Sequence, residues 1–140
     1  MPKLLFLCTG NYYRSRFAEF YFRHLASKRG IAWEVDSRGL ELHDTNPGPL
    51  SRHTRTECQR RGVSIEPLRD PLPATLDDLR SAELVVAVKE AEHRWRIREQ
   101  FPGWEDRVEY WAVHDLDAAT ADEALPRLAA LVEAVADRLA

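Results

Sequence analysis

The sequence predicts an α/β protein, a single-domain, three-layer fold whose four-stranded parallel sheet carries helices on both faces. Short apolar runs recur along the chain, and segments with helical spacing separate them. Strands that are buried on both faces of a parallel sheet are typically continuous apolar runs. A chain of 140 residues can bury one core, and neither a linker nor a repeat divides residues 1–140.

The first half of the chain alternates between strand and helix. In order, the pattern predicts a strand, a long helix, a second strand and a short helix, at residues 3–8, 15–29, 32–40 and 51–62. The long helix is predicted from the apolar residues Phe17, Tyr21 and Leu25, which recur at steps of four residues. Gly30 ends this helix, and Ser51 can cap the shorter one.

The second half repeats the same alternation. A strand at 83–88, a helix at 89–101 and a strand at 108–113 precede a last helix, whose apolar stripe is Leu125, Leu128, Val132, Val135 and Leu139. Ligands of such folds bind beyond the carboxyl ends of the strands, where helices begin. Cys8 and Asp115 each follow a predicted strand, and we therefore expect both at this edge of the sheet.

The composition excludes several classes of protein. A formal net charge of −3 and a pI near 6.0 give no electrostatic basis for binding nucleic acid. No apolar stretch approaches the length of a membrane span, and residues 4–7 are too few for a signal peptide. The two cysteines, Cys8 and Cys58, predict no disulfide framework and fit a reducing cytoplasm. The five histidines lack metal-ligand spacing, and we expect neither a metal nor another cofactor.

The segment CTGNYYRS, residues 8–15, joins the first strand to the first helix and carries the strongest chemical signal. Backbone N–H groups of such a loop can turn inward toward an anion, and the start of the helix adds positive potential. Gly10 permits the unusual backbone angles of a tight turn, and Arg14 can hold two phosphate oxygens at once. The same surroundings favour the thiolate form of Cys8. The segment therefore predicts phosphoryl transfer to sulfur.

Four segments in sequence order match a known pattern. They are FLCTGNYYRS at 6–15, VDSRGL at 35–40, GPLS at 48–51 and WAVHDLD at 111–117. Together they resemble the low-molecular-weight protein tyrosine phosphatase family over essentially the whole chain. The first segment is specific, because its cysteine, Gly-Asn pair, arginine and serine all have the family's spacing. The resemblance implies hydrolysis of phosphotyrosine on a protein, or of a small aryl phosphate, and binding of phosphate or other oxyanions.

The resemblance also implies three catalytic roles. Cys8 becomes the nucleophile, Arg14 the phosphate clamp, and Asp115 the general acid that protonates the leaving oxygen and then activates water. A placed acid of this kind contributes about 10²–10⁴-fold to the rate.

The remaining implied site residues line or support the phosphate-binding loop. They are Thr9, Gly10, Asn11, Tyr12, Tyr13, Ser15 and Ser37. By the resemblance, Asn11 braces the loop, Ser37 helps to hold it, and Ser15 donates a hydrogen bond to the thiolate. Tyr12 occupies the rim, where an aromatic side chain can stack on a phenyl phosphate.

Three positions depart from the family pattern. Tyr13 stands where a second cysteine is usual, Arg16 replaces a common proline, and Leu116 replaces the proline that commonly follows the general acid. The last change leaves Asp117 as a rival for the role of Asp115. None of the three removes a group that phosphate hydrolysis requires.

Other functions remain to be weighed. Phosphoarginine phosphatases of the same fold share the CTGN opening but carry a small threonine at the position of Tyr12. Arsenate reduction by a thiol relay needs resolving cysteines late in the chain, and none follows Cys58. A non-catalytic phosphate-binding module needs neither Cys8 nor Asp115.

The rest of the chain is predicted to be structural. We expect Cys58 and the four tryptophans in core or hinge positions, and most histidines in solvent. Residues 90–99 are expected to form a solvated helix face with intrahelical ion pairs.

Overall fold

Four parallel strands form the centre of the molecule. In the computed structural model, which describes residues 1–140, they are β1 (Lys3–Cys8), β2 (Glu34–Gly39), β3 (Leu84–Ala87) and β4 (Glu109–Tyr110). The strands pair in the order β2-β1-β3-β4, and every pairing is parallel. The predicted α/β class is confirmed, although β4 is much shorter than the run at 108–113 suggested.

Five helices surround the sheet. They are α1 (Arg14–Arg29), α2 (Arg52–Arg61), α3 (Leu76–Ser81), α4 (Glu90–Gln100) and α5 (Ala121–Leu139), with a 3₁₀ turn at Trp104–Asp106. The sequence pattern predicted all of them except α3, which has six residues and buries only Leu79. Its one local signal is the capping box formed by Thr75 and Asp78. None of the helices has both the length and the apolar character that crossing a membrane requires.

The side chains of β1 alternate between two apolar layers. Leu4 and Phe6 pack into a cluster of 26 buried residues with α1, α2 and α5. Leu5 and Leu7 pack into a smaller cluster of 8 buried residues with α3 and α4. Because β1 is buried on both faces from Leu4 to Cys8, all of these residues are apolar, as the run KLLFLC indicated.

The connections of the sheet place a crevice beyond the end of β1. Helix α1 follows β1 on one face, whereas α4 follows β3 on the other face. In parallel sheets of this kind, ligands bind at the carboxyl ends of two neighbouring strands whose helices lie on opposite faces. The loop at 9–13 and the first turn of α4 therefore flank one site.

The apolar stripe of α5 generates a prediction about stability. We expect Leu128→Ala to lower the free energy of unfolding by about 2–5 kcal/mol, because Leu128 is completely buried and its truncation leaves a cavity. Leu131→Ala makes the same chemical change at a half-buried position of the same helix and should cost clearly less. Urea unfolding of both variants measures the difference, and equal losses would contradict this account of the core.

Candidate active site

The loop at 9–13 folds back over the sulfur of Cys8. Cys8 is the last residue of β1 and is 2% exposed. The backbone N–H of Asn11 donates to Cys8 Sγ over 3.3 Å. Asn11 has a φ of 50°, and this left-handed conformation turns the chain back toward the strand end. The loop thus holds the sulfur at the start of α1, where the helix potential favours a negative charge.

Gly10 has a different use from the one that the sequence suggested. Asn11, and not Gly10, adopts the left-handed backbone conformation. A Cβ atom at Gly10 would lie 3.2 Å from Cδ2 of His43, which is tighter than most contacts of this kind. Gly10 therefore lets the segment that carries His43 approach the rim of the loop.

The Asn11 side chain connects the loop to α1 and β2. Its amide nitrogen donates to Oγ of Ser15 over 2.8 Å and to Oγ of Ser37 over 2.9 Å. Ser15 Oγ also lies 2.9 Å from Cys8 Sγ. Because the Ser15 oxygen already accepts the amide hydrogen, its own hydroxyl hydrogen is free to donate to a thiolate. Asn11, Ser15 and Ser37 are therefore joined by hydrogen bonds beside the Cys8 sulfur.

Arg69 holds the other end of the Asn11 amide, and the sequence pattern did not identify it. Its guanidinium donates to Asn11 Oδ1 over 3.0 Å, to the backbone oxygen of Ser37 over 2.8 Å and to Asp36 Oδ1 over 3.1 Å. With the nitrogen bound to two serines and the oxygen bound to Arg69, the amide has a single orientation. The loop conformation is fixed by this bracing.

Arg14 begins α1 with its guanidinium buried beside the sulfur. It is 2% exposed, and it donates to the backbone oxygen of Val113 over 2.9 Å and to Glu92 Oε2 over 2.6 Å. Burial opposes the charge, but Cys8, Asp115 and Glu92 outweigh that effect and raise the pKa of Arg14. Arg14 thus remains a cation, and its hydrogen bonds fix the orientation of the guanidinium group before an anion binds.

A buried histidine supports this arrangement from α4. His93 Nδ1 accepts the backbone N–H of Lys89 over 3.1 Å, which leaves the hydrogen on Nε2. Nε2 lies 3.0 Å from Thr9 Oγ1, and the Thr9 hydroxyl can then donate to Glu92 Oε2 over 3.5 Å. Burial, with the charge of Arg14, lowers the pKa of His93 to about 3 and keeps the ring neutral. A chain of hydrogen bonds therefore runs from α4 through the loop to the carboxylate that holds Arg14.

Asp115 approaches the same guanidinium nitrogen of Arg14 as Glu92 does. Its Oδ2 is 3.4 Å from Arg14 Nη2, and its side chain is 40% exposed. Oδ1 accepts the backbone N–H of Leu116 over 2.9 Å. Asp115 lines the same cavity as Cys8, whereas Asp117 is exposed and does not line it. The geometry thus favours Asp115 over its rival as the carboxyl group that meets a bound anion.

The cavity above Cys8 is small and has an aromatic wall. Its volume is about 150 Å³, and its lining consists of Cys8, Gly10, Tyr12, Tyr13, Arg14, His43, Asn46, Ser51, Asp115 and Leu116. The Tyr12 hydroxyl donates to the backbone oxygen of Pro47 over 2.7 Å, which holds the ring at the rim. No three His, Cys, Asp or Glu side chains are placed together as metal ligands would be.

Comparison with known proteins identifies the family. A family model described as low molecular weight phosphotyrosine protein phosphatase matches residues 3–126. The chain belongs to this family. It is 30% identical to the protein-arginine-phosphatase of Bacillus subtilis (strain 168) over 105 residues, which are 75% of this chain and 67% of that protein. It is also 34% identical to an arsenate reductase of Shouchella clausii (strain KSM-K16) over 85 residues, which are 61% and 55% of the two chains.

A solved structure gives the same result for the fold. The solution structure of a low molecular weight protein tyrosine phosphatase from Bacillus subtilis aligns with a TM-score of 0.80 and 25% sequence identity. The alignment covers 98% of this chain and 96% of that one. Membership of this phosphatase family makes the chain a cysteine-dependent phosphatase, as the resemblance of its motifs had implied.

The departures from the family pattern have structural counterparts. Tyr13 is 6% exposed, its hydroxyl has no hydrogen-bond partner, and burial and the nearby Asp115 raise its pKa to about 12. Arg16 is completely buried, stacks on the Phe20 ring at 4.9 Å and donates to the backbone oxygen of Arg69 over 3.0 Å. Arg16 thus anchors the segment that braces Asn11. Leu116 is 48% exposed at the rim of the cavity.

Some expectations about the rest of the chain were wrong. His93 is completely buried, and Glu92 reaches the site, so residues 90–99 are more than a solvated helix face. The ion pair of Glu90 and Arg94 does occur on that face. Trp95 is 44% exposed and belongs to no core. Cys58 is in the core, as expected, and burial raises its pKa to about 12.

The hydrogen-bond chain through His93 generates a prediction. We expect His93→Leu to weaken the inhibition constant for inorganic phosphate about tenfold, because Thr9 and Glu92 lose the partner that orients them. His93→Gln is the matched control, since its amide can donate to Thr9, and it should restore most of the affinity. Both inhibition constants are measured by competition against an aryl phosphate, per folded molecule. Equal affinities in the wild type and His93→Leu would limit His93 to a structural role.

Proposed function

We propose that this chain is a protein tyrosine phosphatase that hydrolyses phosphotyrosine or similar aryl phosphate monoesters through phosphocysteine at Cys8. The observation that carries the proposal is the meeting of three groups in one small cavity, namely the Cys8 sulfur, the Arg14 guanidinium and the Asp115 carboxyl group. A protein that only binds phosphate needs neither a sulfur at the base of this cavity nor a carboxyl group in its lining. A non-catalytic phosphate-binding module is therefore the weaker interpretation.

In the first step, the phosphate oxygens bind the Arg14 guanidinium and the loop, and Cys8 Sγ attacks phosphorus. Arg14 faces Asp115 at 3.4 Å before substrate binds, and a phosphate dianion takes over that contact. Asp115 is then the carboxyl group placed to donate a proton to the leaving oxygen. The S–P bond forms as the P–O bond breaks, and the phenol leaves neutral.

In the second step, Asp115 accepts a proton from water as the water attacks phosphocysteine. The S–P bond breaks, inorganic phosphate is released, and the sulfur departs as a thiolate. Ser15 Oγ is 2.9 Å from Sγ, so its hydroxyl can stabilise the departing thiolate by a hydrogen bond. The reaction uses no metal or other cofactor.

The Tyr12 ring supports an aryl substrate over a guanidinium phosphate. It is held at the rim by its hydrogen bond to Pro47, where it can stack on a phenyl ring. Phosphoarginine hydrolysis is the second candidate, and similarity to a protein-arginine-phosphatase favours it. The large side chain of Tyr12, in place of the small threonine expected of such enzymes, is the argument against it.

Arsenate reduction by an internal relay has little support. A relay needs a second accessible thiol, whereas Cys58 is completely buried and burial raises its pKa to about 12. Both cysteines are free. We place the enzyme in the cytoplasm, because a reducing compartment keeps the Cys8 thiol available for catalysis.

One panel of substrates tests the proposed function. We expect phosphotyrosine peptides to be hydrolysed with a kcat/KM at least about 10²-fold above those of phosphoserine and phosphoarginine peptides, because only an aryl group fills the space beside Tyr12. Cys8→Ser is the inactive control, which should still bind vanadate, whereas Cys58→Ala should keep most activity. A preference for phosphoarginine would replace this proposal with the second candidate.

The acid role of Asp115 makes a separate prediction. Asp115→Asn should depress turnover of phenyl phosphate about 10²-fold or more and that of p-nitrophenyl phosphate much less, because a good leaving group needs no proton. Asp117→Asn is the matched control and should leave both rates near the wild type. The result would be inverted, with Asp117→Asn showing the leaving-group effect, if the rival carboxylate were the acid.

A further inference from the structure

A second cavity, here called the basic groove, adjoins the cavity above Cys8. Its volume is about 560 Å³, and residues 47–53 line it together with Tyr12, Arg55 and Leu116. Tyr12, Ser51 and Leu116 line both cavities. The rim of the catalytic cavity is therefore one wall of the basic groove.

Two arginines of the basic groove have no partner in the protein. Arg52 and Arg55 are exposed, and no carboxylate lies within ion-pair distance of either side chain. On the same helix, Arg60 and Arg61 both pair with Glu57, at 2.5 Å and 2.6 Å. The chain as a whole carries a net charge of −3, so two neighbouring unpaired cations are a local feature.

The two prolines that line the basic groove offer an anion no hydrogen-bond donor. Pro47 and Pro49 have no backbone N–H, and the Pro47 oxygen already accepts the hydroxyl of Tyr12 over 2.7 Å. The side chains of the groove that carry a permanent positive charge are Arg52 and Arg55, and we expect their guanidinium groups to be the main contacts of an anion there. Residues three apart on a helix lie on the same face, so both can meet one ligand.

We propose that the basic groove binds acidic side chains next to the phosphorylated residue of a protein substrate. This inference rests on the proposed function and adds the substrate class, namely polypeptides with aspartate or glutamate flanking the phosphotyrosine. When the phosphorylated ring fills the cavity above Cys8, the peptide backbone lies at the rim formed by Tyr12 and Leu116. Each further extended residue advances the chain by about 3.3–3.6 Å, so the next few side chains pass over the groove.

Paired peptides and paired variants test the substrate class. One phosphotyrosine peptide carries aspartates and glutamates on both flanks, and its partner carries asparagines and glutamines at the same positions. We expect the wild type to prefer the acidic peptide about 3- to 10-fold in kcat/KM, as two exposed charge pairs would give. The double variant Arg52→Gln, Arg55→Gln should lose this preference, and Arg80→Gln, an exposed arginine outside both cavities, should keep it.

Two further measurements distinguish this inference from the proposed function. Turnover of p-nitrophenyl phosphate should be unchanged in the double variant, because that substrate does not reach the groove. The preference of the wild type should also shrink as salt rises from 50 to about 500 mM, since exposed charge pairs are screened. If the wild type hydrolyses both peptides with equal efficiency, the basic groove does not bind acidic side chains, but the proposed phosphatase function stands. If it hydrolyses neither peptide, the proposed function is wrong.

Discussion

The hydrogen bonds of one amide, the Asn11 side chain, hold the loop after β1 in the shape on which the site depends. Its nitrogen binds Ser15 and Ser37, and its oxygen binds Arg69. Asn11 is also the non-glycine residue with a positive φ, a conformation that persists only when the surroundings fix it. The backbone N–H of the same residue points at the Cys8 sulfur. The left-handed backbone conformation of Asn11 and the hydrogen bond from its N–H to the sulfur thus occur together at one residue.

Several charged groups that support this loop are buried, and each has a partner of opposite sign. Glu19 is 3% exposed and accepts from Ser37 over 2.5 Å and from Arg23 over 2.7 Å. Arg14 is held in the same way between Glu92 and Asp115. Burying an unpaired charge is costly, and removal of one partner from such a pair is strongly destabilising. The first turns of α1 therefore bury polar and charged side chains. A helix pattern based on apolar residues alone does not predict this burial.

The sequence was most informative where chemistry and local pattern coincide. Cys8, Asn11, Arg14 and Ser15 lie within one short segment, so their meeting follows from a single loop between strand and helix. Asp115 could be placed because it follows the last strand, at the same edge of the sheet.

Residues from distant elements could not be placed in this way. Arg69 lies in a segment without regular structure, and only the tertiary fold brings it 3.0 Å from Asn11. In the sequence, Glu92 and His93 look like ordinary members of a charged helix. Their contacts with the site depend on where α4 lies relative to the crevice, which the local sequence does not show. The position of α4 after β3, next to β1 in the sheet, is the one signal that could have indicated them. The six-residue α3 was missed because it buries only Leu79, whereas β4 was predicted too long because the apolar run at 108–113 extends beyond its two residues.

The burial of Cys58 has a consequence for how the enzyme meets peroxide. A thiolate at Cys8 is the form that is oxidised to sulfenic acid, and a nearby thiol normally condenses with that group before it is oxidised further. Here the neighbouring loop position holds Tyr13, and Cys58 is enclosed in the core on α2. The chain therefore has no internal reductant at the site. Its recovery from oxidation depends on small thiols in the surrounding solution, which must reach the sulfur through the same narrow cavity as the substrate.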